Sequence, residues 1–247
     1  MRIGVDLMSV SRFAPVAEHH RYRTLVFTER ELSEAGRLGS PRYLERLAGR
    51  FCVKEATCKL LGRGFGQGLR WPDIEVGTDA WGAPEVVLSG GARRLADEAG
   101  LHEIAVTLTH QVDLVVAVAA ADHGRPPPPY RAAGRQGADD REAAATDGEL
   151  DDVARVAAEV FDSCANRVAA AESFAGDLGA TSVLTIELLA RLEEHYGVRI
   201  PEPDFYRMTD LPGTRRAVAR AVASAREAAS RPRPTDAPGR AQPKGSR

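Results

Sequence analysis

At 247 residues the chain has room for one or two domains, each with a core of its own. Its 33 Lys and Arg nearly balance its 35 Asp and Glu, leaving a formal net charge of −2 and no overall field to draw the protein onto nucleic acid or an anionic membrane. Three cysteines, an odd number without zinc-site spacing, point to free thiols in a reducing compartment.

The charge is unevenly spread. Residues 148–212 carry 5 basic against 13 acidic side chains, and residues 213–247 carry 9 against 2, so separate modules are expected. The start at Met1-Arg2-Ile3-Gly4 enters a strand-like run without a signal peptide, and no apolar stretch reaches membrane-span length. A cytoplasmic protein without membrane contact is the expectation.

Ile3 to Leu7 reads as a short buried strand in which Asp6 is either a strand-end turn or a site residue. A basic segment with Arg12, Arg21 and Arg23 follows, partly helical and interrupted by Pro15. Thr28 and Glu31 form a capping-box signature for a helix over 29–35. Ser40-Pro41 then opens a long helix that runs to Leu61 and stops at Gly62.

Within that helix, Leu44, Leu47, Phe51, Glu55, Cys58 and Leu61 share one stripe, which places a carboxylate among apolar groups. Such a carboxylate needs a partner. Lys59, four residues on, would make an ordinary helical ion pair; a metal ion, with Arg50, Lys54 and Lys59 gathered on an anion beside it, is the other reading. The glycines at 62, 64, 66 and 68 form a loop that can admit a phosphate or simply connect, and the helix-then-strand order excludes a dinucleotide fingerprint.

A hairpin is expected from residues 74–76 and 85–88 around Asp79–Gly82, then a helix over 91–99. Two further strands follow, 103–109, with Ile104, Val106 and Leu108 inward, and 114–120. His110 lies at the turn between them, as a structural or a site histidine. The first module, residues 1–122, is thus an α+β domain with an antiparallel sheet packed on a long helix.

Five stretches in this order, Gly4-Val5-Asp6-Leu7, Leu47 through Ala56, Trp71-Pro72-Asp73-Ile74-Glu75-Val76, Gly82-Ala83-Pro84 and Thr107-Leu108-Thr109-His110, resemble the holo-acyl-carrier-protein synthase family of 4′-phosphopantetheinyl transferases. The resemblance implies transfer of 4′-phosphopantetheine from coenzyme A to a carrier-protein serine, with release of adenosine 3′,5′-bisphosphate, in fatty acid or polyketide biosynthesis. It implies Mg²⁺ held by Asp6 and Glu55, a catalytic role for Asp6, Glu55 and Lys59, and a coenzyme A site lined by Arg50, Lys54, Lys59 and His110. The general base is Glu55 or a metal-held water. Thr107 and Thr109 stand where the family often has serine, and each keeps a hydroxyl. The resemblance also implies a homo-oligomer, commonly a trimer with sites at subunit interfaces.

Residues 123–147, with four consecutive prolines from Pro126 to Pro129, read as a linker that is stiff at first and then flexible. Residues 148–225 then read as an all-α bundle: an amphipathic helix through Leu150, Val153, Val156 and Val160, a loop over 174–180, a helix from Ser182 to Gly197, and a last helix from Thr214 to about Ala225. In the middle helix Val183, Ile186 and Leu192 face inward and Glu187, Glu193 and Glu194 outward.

Phe174-Ala175-Gly176-Asp177-Leu178-Gly179, Ser182-Val183, Ile186-Glu187-Leu188 and Leu192 through Pro201 resemble acyl carrier proteins. By position Ser182 is the phosphopantetheine attachment serine, although a serine at a helix start is by itself only a cap. Thr181 replaces the aspartate that normally precedes it, removing a negative charge where a transferase docks. The expected partners are therefore coenzyme A and carrier domains, the chain's own and others, with the acidic face of the carrier meeting Arg12, Arg21 and Arg23. The alternative is that the second half is an unmodified interaction module and the first half serves separate carriers. Residues 226–247 read as a basic disordered tail whose lack of aromatics argues against nucleic-acid binding.

Overall fold

A computed structural model describes residues 1–64, 67–122 and 147–230. The N-terminal half is built on helix α4 (Pro41–Leu61), capped by the Ser40 hydroxyl, which accepts from the Tyr43 amide, and ended by Gly62 in the left-handed conformation. Before it come strand β1 (Arg2–Ser9) and helices α1 (Val10–Glu18), α2 (His20–Val26) and α3 (Glu29–Ala35). Helix α1 passes through Pro15; the break falls at His19 instead, where the backbone turns extended. After α4 a 3-10 turn (Trp71–Asp73) leads into the hairpin β2 (Ile74–Thr78) and β3 (Pro84–Leu88), then α5 (Gly90–Glu98), β4 (Ala105–Gln111) and β5 (Leu114–Ala121).

The main sheet is antiparallel with strand order β1-β5-β4, and α4 crosses one face of it. The register pairs Gly4 with Ala119 and Asp6 with Ala117. Small residues therefore lie beneath the helix. A Cβ built on Gly4 would stand 2.0 Å from the Ala56 carbonyl oxygen and 2.6 Å from the Leu60 amide nitrogen, so only glycine lets β1 approach this closely. The alternate residues Ile3, Val5 and Leu7 point to the uncovered face and are 54%, 48% and 62% exposed. The expectation of a buried strand thus holds for one face only, because a single helix layer covers the sheet.

Glu31, expected as a capping-box partner, is also a core hub. Completely buried, it accepts from the amides of Thr28 (2.8 Å) and Val76 (2.9 Å) and from Lys54 Nζ (2.9 Å). The Lys54 ammonium reaches in addition the carbonyls of Trp71 (3.0 Å) and Ile74 (2.5 Å), so its three hydrogens are all used inside the core.

The C-terminal half contains α6 (Asp147–Val160), α7 (Ala165–Ala170), α8 (Phe174–Asp177), α9 (Ser182–Tyr196), α10 (Glu202–Phe205) and α11 (Leu211–Ser230). Of three short helices, α8 occupies the stretch expected to be loop, and α7 and α10 lie where no helix is expected from the sequence. Each has too few residues for a helical period to register, and packing of Val168, Phe174 and Phe205 against the core holds them. Helix α11 extends through Ser230, so residues 226–230 are helical rather than tail. The expected linker up to residue 146 and the tail from 231 onward lie outside the described residues. Among the described residues no helix is long and apolar enough to cross a membrane.

The two halves pack against each other, α1 against α9. On α2, Arg21 forks onto Glu193 with Nε–Oε2 at 3.1 Å and Nη2–Oε1 at 2.7 Å, and also donates to the Ile200 carbonyl. Glu193 was expected to face solvent but is 9% exposed, satisfied by Arg21 and by the Ile200 amide at 2.8 Å. Of the basic segment only Arg21 makes this contact. Arg23 is buried on the Ala17 and Glu18 carbonyls, and Arg12 is exposed.

Candidate active site

Glu55 sits on the last turn but one of α4, and its two oxygens have two different partners. Oε1 accepts from the indole Nε1 of Trp71 at 2.7 Å, and Oε2 accepts from the hydroxyl of Ser182 at 2.8 Å. Ser182 is the first residue of α9, presented there because Thr181 caps the helix, its hydroxyl accepting from the Leu184 amide at 3.4 Å. Groups 127 residues apart in sequence are thus in direct hydrogen-bond contact. Burial pushes Glu55 above the usual carboxylate range; the donors Trp71 and Ser182 pull it back, and the nearby Asp6 charge raises it again.

Asp6 reaches this spot because it lies on the same face of β1 as Gly4. Lys59, one turn beyond Glu55, donates to Asp6 Oδ1 at 2.8 Å and to the Val5 carbonyl at 2.8 Å. Of the two readings of Glu55, the helical ion pair is not the one formed: Lys59 makes a strand-to-helix pair with Asp6 instead. The close approach at Gly4 brings Asp6 within reach of the lysine, while Glu55 is engaged by Trp71 and Ser182.

Arg50 and His110 line a separate cleft of about 690 Å³, together with Gly49, Thr78, Gly82 and Pro84. Arg50 is anchored there by the Val76 carbonyl (3.1 Å) and Glu34 (3.2 Å). Lys54, expected beside them, does not reach the cleft: its ammonium is committed to Glu31 and two core carbonyls, and it is a packing lysine instead. The sequence assigns Trp71 no role beyond its place in the Trp71-to-Val76 motif. An indole N–H at a buried position always needs an acceptor, and that requirement was the available signal.

Among the described residues no group of three or more His, Cys, Asp and Glu could enclose a metal by itself. Asp6 and Glu55 nevertheless offer hard oxygens from β1 and α4, with Lys59, one turn beyond Glu55, covering only one oxygen of Asp6. That donor set suits an ion that takes a few carboxylates and fills the rest of its shell with water and substrate phosphate.

Residues 2–119 match the family profile of the 4′-phosphopantetheinyl transferase superfamily, and residues 151–213 match the profile of the phosphopantetheine attachment site. A holo-[acyl-carrier-protein] synthase of Caldanaerobacter subterraneus subsp. tengcongensis is 37% identical over 123 residues, which cover 49% of this chain and 94% of the relative. One from Desulforudis audaxviator is 41% identical over 123 residues, covering 48% of this chain and 90% of that protein. Among solved structures, the Chronobacterium ammoniagenes ACPS–CoA complex is 30% identical with a TM-score of 0.44, covering 50% of this chain and 98% of that one. With relatives this similar along nearly their whole length, the chain belongs to the holo-acyl-carrier-protein synthase family of 4′-phosphopantetheinyl transferases and carries a phosphopantetheine-attachment domain after the transferase.

Proposed function

We propose that this transferase, which moves 4′-phosphopantetheine from coenzyme A to a carrier-protein serine, takes Ser182 of its own chain as an acceptor. The observation that carries the proposal is the 2.8 Å hydrogen bond from Ser182 to Glu55 Oε2. In the transfer, the Ser182 oxygen attacks the phosphorus on the pantetheine side of the coenzyme A diphosphate. The bond from that phosphorus to the oxygen of adenosine 3′,5′-bisphosphate breaks, and the serine proton passes to Glu55 as general base. That reading is supported by the hydrogen bond, which keeps the Ser182 hydroxyl oxygen 2.8 Å from Glu55 Oε2.

Asp6 and Glu55 would hold Mg²⁺, whose contribution is to neutralise charge on the diphosphate. The Lys59 side chain is 54% exposed beside Asp6, and it stabilises the departing phosphate. Arg50 and His110, in their shared cleft, bind the nucleotide end of coenzyme A. The uncovered sheet face, with Ile3, Val5, Leu7 and Leu114 exposed, supports a homo-oligomer packed through that face; the trimer is the assembly the family resemblance implies. The contrary reading, an unmodified interaction module, gives no reason for Ser182 to be aimed at Glu55.

The test is intact mass spectrometry of the apo chain incubated with coenzyme A and magnesium. One added phosphopantetheine is expected, none in Ser182→Ala, and a strongly reduced gain in Glu55→Gln. An undiminished gain in Ser182→Ala would refute the assignment.

A further inference from the structure

The docked pose has a second anchor. Arg70, immediately before Trp71, donates from Nε (3.0 Å) and Nη2 (2.5 Å) to Glu202 Oε1 at the start of α10, and the Tyr206 hydroxyl donates to the same oxygen at 3.2 Å. The Arg70 guanidinium also lies over the Tyr206 ring, 5.9 Å from its centroid. Trp71, fully buried, packs its ring 6.1 Å from that of Phe205 while its indole N–H holds Glu55 Oε1 at 2.7 Å. Residues Glu202, Phe205 and Tyr206 of one short helical turn therefore meet two consecutive transferase residues, and the second of these grips the carboxylate that faces Ser182.

The first anchor alone does not fix the serine. Arg21 holds Glu193, eleven residues along α9 from Ser182, so at 1.5 Å rise per residue it grips the helix about 16 Å from the reacting hydroxyl. A pivot of about 10° about that point moves Ser182 by roughly 3 Å, as large as the hydrogen bond to Glu55, and a misplacement of about 1 Å can cost roughly a hundredfold in rate. A second contact on a different helix removes the pivot.

We infer that Arg70 is a specificity determinant that reads α10 of the carrier, and that Trp71 is a positioning residue coupling the seated carrier to Glu55. The partner that fits this surface is a carrier domain whose short helix presents an acidic residue followed three and four positions later by aromatics, as Glu202, Phe205 and Tyr206 do here. The inference rests on Ser182 as the acceptor.

It is tested by single-turnover self-loading of the full chain at saturating coenzyme A. Arg70→Glu and Glu202→Arg each slow loading about tenfold, and the two together return it to within about threefold of wild type. Trp71→Phe keeps an aromatic ring but removes the N–H; it lowers the saturated rate about tenfold, leaves the coenzyme A KM within about twofold and leaves the thermal midpoint within a few degrees. Single reversals that load at the wild-type rate, or a double reversal no faster than the slower single, overturn the Arg70 role. A Trp71→Phe chain with unchanged saturated rate overturns the positioning role. A wild-type chain that gains no phosphopantetheine overturns the acceptor assignment, an outcome distinct from either of these.

Discussion

The contact between β1 and α4 is the tightest constraint on the active site, and Gly4→Ala perturbs it with the least added chemistry. The new methyl would lie 2.0 Å from the Ala56 oxygen and 2.6 Å from the Leu60 nitrogen, both main-chain atoms that no rotamer change can move. Reaching ordinary contact requires the strand and helix to part by about 1.4 Å, and overpacking of this severity costs about 3 kcal/mol. For a domain of this size that is a fall of roughly 10 °C in the melting temperature of the transferase half. The same parting draws Asp6 on β1 away from Lys59 and Glu55 on α4, so activity falls more than stability. Self-loading measured well below the melting transition is expected to drop at least about tenfold. A Gly4→Ala chain that melts and loads like wild type would refute the view that this glycine sets the distance between the site's two elements.

Three further outcomes follow from particular contacts. Lys54→Met removes one partner of a fully buried ion pair and strands Glu31, so it is expected to cost about 3 kcal/mol or more in urea unfolding. The coenzyme A KM of the remaining folded fraction should be unchanged; a raised KM with full stability would restore Lys54 to the coenzyme site. Arg21→Glu breaks the partly buried fork onto Glu193 and should slow self-loading about thirtyfold, and the wild-type rate should fall as salt rises, both read by stopped-time mass spectrometry. Thr181→Asp retains an N-cap for α9 and adds a negative charge beside the proposed acceptor Ser182, so the helix keeps its stability, whereas Thr181→Ala loses about 1 kcal/mol of capping in thermal unfolding.

Much of this architecture is legible in the sequence because it depends on local chemistry. Ser40, Gly62, Thr181 and Gly197 end their helices where caps and left-handed glycines should, and Glu55 is recognisable as a carboxylate in an apolar stripe before any partner is known. What could not be read depends on long-range approach. Lys59 pairs with Asp6 rather than with its helical neighbour because Gly4 lets a distant strand come close, and nothing in the helix itself reports that. Lys54 and Arg50 lie on one helix and look alike as cations, yet one points into the core at Glu31 and the other toward a cleft. The helix α10 is four residues long, too short to show periodicity, and its role becomes visible only when Glu202 is found against Arg70. Both sides of the Ser182–Glu55 contact were singled out in sequence; that they meet within one chain required the packing of α1 against α9.

The central claim is that the docked carrier is loaded by the transferase to which it is fused. The most direct measurement is the single-turnover rate of phosphopantetheine gain on the apo wild-type chain, followed by intact mass over serial dilution with coenzyme A and magnesium held saturating. Loading within the docked assembly predicts a first-order rate constant that does not change with protein concentration, and a tethered acceptor at an effective concentration of about millimolar makes that hold far below micromolar protein. A rate that falls in proportion to dilution, or no gain in mass at all, would contradict it.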